Sequence, residues 1–307
     1  MREPRIVGVV PAMLTPFLEN FDIDDRGVQD LAARLAGVEG VGAVFCTGHA
    51  GEVAALSREE RAHVVRLVTE AVGGRVPVIA GVYTDSINEA VNLTKDASQA
   101  GAAAVTVFPP PIFTDGATQS SEMPFRFFES LARRTRVPLV VFQFPRSTGL
   151  GYTTETLTRI CELPEVVGVK EGSAELVLYE RNVRALARLN PPVPVLTSNN
   201  SWLFPSLVVG GDGILSGSSS VVAPQHAELF RAVQDADMVR ARACHDRLYP
   251  LVQAFYRDPW ISMHTRMKEA LVMMDVLKRA VVRSPLLPIE DGERARIRSA
   301  LEAAKLL

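Results

Sequence analysis

Residues 166–173 read VVGVKEGS. The run from Val166 to Val169 is continuously apolar, without the polar alternation of a strand that has one wet face, so it reads as a strand buried on both faces. Runs of this kind recur along the chain at 6–10 (IVGVV), 41–45 (VGAVF), 76–82 (VPVIAGV), 103–108 (AAVTVF), 137–144 (VPLVVFQF), 193–198 (VPVLTS) and 211–216 (GDGILS). Amphipathic segments separate them. SREERAHVVRLVTEAV (57–72) opens with Ser57 and Glu60 in capping-box relation, and SINEAVNLTKDASQAG (86–101) repeats the form with Ser86 and Glu89. Eight strands alternating with helices predict right-handed βα units closing into an α/β (β/α)8 TIM barrel. The rival, a doubly wound open sheet, lacks its signature, because no strand runs into a GxGxxG turn. After residue 216 the strand-like runs stop and helices follow. The division expected is a catalytic barrel over 1–235 and a C-terminal helical extension over 236–307, packed on the barrel flank.

The 307 residues are 47% hydrophobic and 22% charged, with a net charge of −2 and no basic stripe. That balance predicts a globular domain and argues against a nucleic-acid partner, which needs a clustered positive face. The apolar run near the N-terminus is short and broken by Pro11 and Pro16, so neither a signal peptide nor a membrane span is expected. Cys46, Cys161 and Cys244 are odd in number and far apart, which fits a reduced, cytoplasmic protein. Scattered histidines without HExxH or CxxC give no expected metal site.

In a (β/α)8 barrel the chemistry lies at the C-terminal ends of the strands. The candidates there are Gly48 to Glu52, Tyr83, Phe108 to Phe113, Phe142 to Thr148, Lys170 with Glu171, Ser198 to Asn200, and Ser216. Lys170 is the most informative. At the end of a buried strand its amine is desolvated, which favours the neutral form that attacks a ketone. The competing reading is an ion pair with Glu171 or a side chain that snorkels to water. The glycine-rich GILSGSSS is either a phosphate cradle or a wall beside Lys170.

VVGVKEGS resembles the lysine strand of the dihydrodipicolinate synthase and N-acetylneuraminate lyase family, the pyruvate-dependent class I aldolases. Other pieces follow in the family's order: VGVVPAMLTPF, GHAGE, VPVIAGV, FQFPRSTG and GGDGILSGSSSVVAP. The resemblance implies a homotetramer or homodimer and a small-molecule 2-oxo acid substrate. It also implies a covalent lysine imine on Lys170 with no separate cofactor. The substrate carboxylate would lie on backbone N–H groups of the Gly48–Ala50 turn, beside Phe142, Gln143, Arg146, Ser147 and Ser216.

The chain also departs from the family. Phe142 stands where the family has its catalytic tyrosine, and Gln143 where it has asparagine. His49 and Ala50 replace a hydroxyl pair, the tyrosine after strand four has no counterpart, and the distal-carboxylate arginine falls at Ser147, with Arg146 one place earlier. His49 is the expected replacement proton shuttle. The expected activity is a Schiff-base-forming lyase, an aldolase or hydratase-aldolase on a partly apolar 2-oxo acid. The alternatives are a 2-keto-3-deoxy sugar acid dehydratase, a dihydrodipicolinate synthase-like enzyme by homology only, and a barrel that binds without catalysis.

Overall fold

The computed structural model describes residues 4–307. Eight strands appear at the apolar runs, all but β6 slightly shorter than the run: β1 (Gly8–Pro11), β2 (Val44–Cys46), β3 (Val78–Val82), β4 (Ala104–Val107), β5 (Leu139–Gln143), β6 (Val166–Glu171), β7 (Val195–Thr197) and β8 (Gly213–Ser216). All pair in parallel in the order β1-β8-β7-β6-β5-β4-β3-β2. Parallel bridges from Val9 to Val41 and from Ala12 to Phe45 close the ring between β1 and β2. Every strand residue is buried, which is the physical reason the sequence shows no alternation.

Helices α1 (Asp25–Ala36), α2 (Arg58–Val72), α3 (Ile87–Gln99), α4 (Glu122–Thr135), α5 (Thr154–Cys161), α6 (Leu176–Leu186), α7 (Leu203–Val209) and α8 (Ser219–Gln234) follow the strands in turn. This is a (β/α)8 TIM barrel. The capping box of α2 is complete, with Ser57 Oγ accepting from Glu60 N and Glu60 Oε2 accepting from Ser57 N. In α3 only half of it forms: Ser86 Oγ accepts from Glu89 N, while Ser86 N donates to Thr84 Oγ1.

Three further helices, α9 (Met238–Phe255), α10 (Met263–Met273) and α11 (Asp291–Ala303), form the C-terminal part. α9 packs on α7 and α8, and α11 on α9 and α10. This part is latched to the turn after β2 by a buried ion pair. Lys268 Nζ donates to Glu52 Oε1 at 2.5 Å and to Val281 O at 2.7 Å. The other oxygen of Glu52 accepts from Arg283 N at 3.0 Å. The Arg283 guanidinium reaches α2, where it pairs with Glu60. Both cations lie over the Phe17 ring, at 4.4 and 4.5 Å. Among the described residues no helix is long and apolar enough to cross a membrane.

A buried ion pair is costly to leave half-made. Glu52→Gln, which strands the Lys268 ammonium, should lower the unfolding free energy by about 3–5 kcal/mol in chemical denaturation. Glu52→Gln combined with Lys268→Met should recover most of that loss. Equal losses in the single and double variants would show that the pair does not hold the C-terminal part.

Candidate active site

Strand register decides which side chains meet at the mouth of the barrel. β5 and β6 place Phe142 opposite Lys170 and Gln143 opposite Glu171. Successive strand residues face opposite sides, so if Lys170 points into the barrel, Glu171 points out toward the helices. The hydrogen bonds agree. Glu171 accepts from Asn182 Nδ2 of α6 at 3.1 Å, from Asn199 Nδ2 at 3.0 Å and from Ser173 N at 3.3 Å. The ion pair with Lys170 considered from sequence is therefore absent. Among the described residues Lys170 makes no ion pair and no hydrogen bond. Its Nζ lies 3.8 Å from the centroid of the Phe142 ring and 5.4 Å from that of Phe45. Burial without a counter-charge lowers its pKa from 10.5 to about 7.

The turn after β2 forms a second wall. Its ends, Thr47 and Glu52, both take positive φ (48° and 57°), a conformation that residues other than glycine adopt at a cost. Two contacts hold it. Thr47 Oγ1 accepts from Gly81 N at 3.0 Å, and a Cβ on Gly81 would lie 2.1 Å from Thr47 O, so only glycine fits at that point of β3. Glu52 N and Val53 N donate to His49 O and Gly48 O. The N–H groups of His49 and Ala50 donate to no protein acceptor among the described residues. With both residues lining the cavity, these amides are free for an anion.

His49 stacks on Trp260, with ring centroids 5.1 Å apart and planes 20° apart, and meets His264 edge-on at 5.0 Å. His264 Nε2 in turn lies 2.8 Å from His49 O, which ties the turn to α10. His49 Nε2 is out of water and has no partner. Burial first, then the nearby His264 and Lys170, lower its pKa to about 3, so the ring is neutral at neutral pH.

The remaining wall comes from the loop after β7 and from the C-terminal part. Asn199, Asn200, Trp202, Tyr256, Trp260 and Met263 all border a cavity of about 400 Å³. Both asparagine amides are committed within the protein. Asn199 bonds Glu171 and Ala174 N, and Asn200 accepts from Ser216 and donates to Ser198 O. Tyr256 Oη accepts from Ser218 N at 3.0 Å, and Ser218 Oγ lies 2.8 Å from Ser216 Oγ. A phenol at the cavity surface is thus backed by a chain of hydroxyls.

Of the residues selected from sequence, Lys170, His49, Ala50 and Phe142 meet in this cavity. Five others lie outside its lining. Gln143 is turned outward, its amide donating to Tyr152 O at 2.9 Å and accepting from Tyr152 N at 3.0 Å. Arg146 borders a separate cleft with Arg181, Arg184 and Arg188. Ser147 is exposed between them on the loop after β5. Ser216 stands behind the lining, in the hydroxyl chain. Gly48 lies under the turn, where a Cβ would come within 2.5 Å of the Phe45 ring. Gly217 does line the cavity, so the GILSGSSS stretch serves as wall. Tyr83 stacks edge-on with Phe108, which in turn packs on Phe142. Tyr256, Trp260 and Met263 were missed because they lie outside the barrel repeat. The signal available was the aromatic pair in FYRDPW (255–260), between two amphipathic helices.

A model of the dihydrodipicolinate synthetase family matches residues 5–304. A 4-hydroxy-tetrahydrodipicolinate synthase of Archaeoglobus fulgidus is 32% identical over 98% of this chain and 99% of its own length. One from Syntrophus aciditrophicus is 32% identical over 96% and 97%. Among solved structures, the dihydrodipicolinate synthase of Thermotoga maritima superposes with a TM-score of 0.90 at 29% identity, covering 99% of this chain and all of its own. A prophage protein from E. coli K12, solved in complex with pyruvate and belonging to the dihydrodipicolinic acid synthase family, gives a TM-score of 0.88 at 26% identity over 98% and 99%.

The lowered pKa of Lys170 has a sign that stability measurements can read. The unfolded chain keeps the proton up to about pH 10.5, whereas the folded protein releases it near pH 7. Between those values the unfolded state binds more protons, so the contribution of Lys170 to stability rises with pH across that window and is flat below it. Lys170→Met should be more stable than the parent at pH 7 by a few kcal/mol, since each tenfold loss of proton affinity on folding is worth about 1.4 kcal/mol. The gap should narrow toward pH 10.5. A gap independent of pH in denaturation curves would mean that the amine is not desolvated.

Proposed function

The chain belongs to the dihydrodipicolinate synthetase family, and from that premise we propose that Lys170 is the amine that forms its imine, with a 2-oxo acid of the pyruvate type. The protein is a class I lyase acting on a 2-oxo acid. The observation that carries the assignment of the residue is the burial of Lys170 without a counter-charge, which leaves a neutral nucleophile available near neutral pH. The amine adds to the ketone carbonyl, and loss of water gives the iminium. Loss of a proton from the adjacent carbon then gives an enamine, whose carbon attacks an aldehyde; in reverse, a C–C bond breaks to release one. Hydrolysis returns the free lysine.

The surrounding residues suit these steps. The free N–H groups of His49 and Ala50 are placed to bind the carboxylate of the 2-oxo acid. The face of Phe142, 3.8 Å from Nζ, favours the iminium cation by cation–π attraction. Phe142 therefore contributes electrostatics where the tyrosine of the resembled family would move a proton. We assign His49 the role of a neutral hydrogen-bonding partner whose basicity rises when an anionic carboxylate occupies the neighbouring amides. The phenol of Tyr256, backed by Ser216 and Ser218, is the proton carrier we assign to the aldehyde oxygen. This role passes to a side chain outside the barrel repeat, and it does so because the free His49 ring, with its pKa near 3, is a weak base.

We further place the protein in the cytoplasm and assign it a homo-oligomeric assembly. All three cysteines are buried, and none is joined in a disulfide. Exposed Val177, Val208, Val239 and Tyr249 lie on α6, α7 and α9, helices that pack in sequence along one flank.

Incubation with pyruvate followed by borohydride reduction should add to Lys170 the mass of one pyruvic acid less an oxygen atom, located by peptide mass spectrometry. Lys170→Met should take up nothing, and a mass gain elsewhere or nowhere would overturn the assignment. Tyr256→Phe should retain trapping but lose on the order of 10²–10⁴ in aldol turnover, the range of general acid–base groups. His49→Ala should lose less.

A further inference from the structure

The cavity is larger than a three-carbon acid on Lys170 requires, and what lines the rest of it restricts the second reactant. Lys170 is the sole lysine, arginine, aspartate or glutamate in the lining. Arg146 faces another cleft, so a distal carboxylate would be desolvated here with no cation to meet it. For a polyhydroxylated chain few partners remain: the amides of Asn199 and Asn200 are already bonded to Glu171, Ala174, Ser216 and Ser198, and Thr148 Oγ1 donates to Pro145 O, which leaves the hydroxyls of Ser198, Ser201 and Tyr256. What remains is mostly flat and apolar. Trp202 is held edge-on by Tyr179, with ring centroids 5.4 Å apart at 90°. Trp260 lies over His49 and is 46% exposed, with Phe144 and Met263 beside them in the lining. Large exposed aromatics at the rim of a cavity are the surfaces that stack on planar ligands.

We propose that this half of the cavity receives an uncharged aromatic group, so that the aldehyde joined to or released from the enamine is an aryl aldehyde. The proposal rests on Lys170 as the imine-forming residue. In the joining direction, the enamine carbon bonds to the aldehyde carbon, the carbonyl oxygen takes a proton from Tyr256, and water hydrolyses the imine. The product is a 4-aryl-4-hydroxy-2-oxo acid, formed from pyruvate and the aldehyde without net oxidation or reduction.

The test uses 2-oxo acids that form the imine but cannot be cleaved. Borohydride trapping on Lys170 is titrated with pyruvate, with 4-phenyl-2-oxobutanoate and with 2-oxoglutarate, which carries a distal carboxylate. The phenyl acid should half-saturate at a concentration about tenfold or more below pyruvate, as expected for one good aromatic stacking contact, and 2-oxoglutarate above it. Trp260→Ala should remove that advantage, so that in the variant the phenyl acid half-saturates no lower than pyruvate does. The chain has two tryptophans, Trp202 and Trp260, and both line the cavity. Quenching of intrinsic fluorescence by the phenyl acid in the unaltered protein is therefore a second readout that needs no variant. Pyruvate trapping with no preference for the phenyl acid, or a preference for 2-oxoglutarate, overturns the aromatic assignment and leaves the imine reading standing. Failure of every acid to label Lys170 overturns both.

Discussion

An ammonium cannot be buried without cost, and the barrel bears that cost at one position. Lys170 has no carboxylate to offset its desolvation, so the interior stabilises the amine by letting its proton go. The rest of the site follows from that constraint. Neighbours must be apolar enough to keep water away, as Phe142 and Phe45 are, and under the role proposed for Lys170 their ring faces also attract the iminium cation. Glu171, one residue along, must be satisfied elsewhere, and two asparagines and the Ser173 amide do so on the other side of the sheet. A carboxylate on the inner side would restore the ammonium.

The second organising contact joins the barrel to its C-terminal part. Glu52 and Lys268, both buried, fix α10 against the turn after β2, and His264 adds a hydrogen bond to His49 O. These contacts explain why a strained turn, with two residues at positive φ, persists. They also bring Tyr256, Trp260 and Met263 to the mouth of a barrel whose strands end at Ser216.

The barrel was legible because burial of a parallel sheet on both faces leaves continuous apolar runs, and all eight strands coincide with them to within two residues at their C-terminal ends. Lys170 stood out for the same reason, as a charge closing such a run. Gln143 shows what a motif alone misreads. Its place in FQFPRSTG suggests the site, but one residue along a strand reverses the face, and alignment with Glu171 sends it outward. Arg146 and Ser147 sit in a loop whose direction no periodicity determines. Tyr256 and Trp260 were out of reach for a different reason: their place in the site depends on how α9 and α10 dock, through contacts more than 200 residues apart in sequence such as Lys268 with Glu52.

The latch between Glu52 and Lys268 also bears on the order in which the protein becomes active during its synthesis. A ribosome releases the eight strands first, and the chain can close its barrel once β8 and α8 have emerged. The amine of Lys170 then sits at the end of a funnel that still lacks one wall. Only when α10 and the segment through Arg283 appear does the turn after β2 acquire its anchor and the cavity its aromatic rim. A nascent chain that has folded its sheet thus still lacks the cavity wall that Tyr256, Trp260 and Met263 supply.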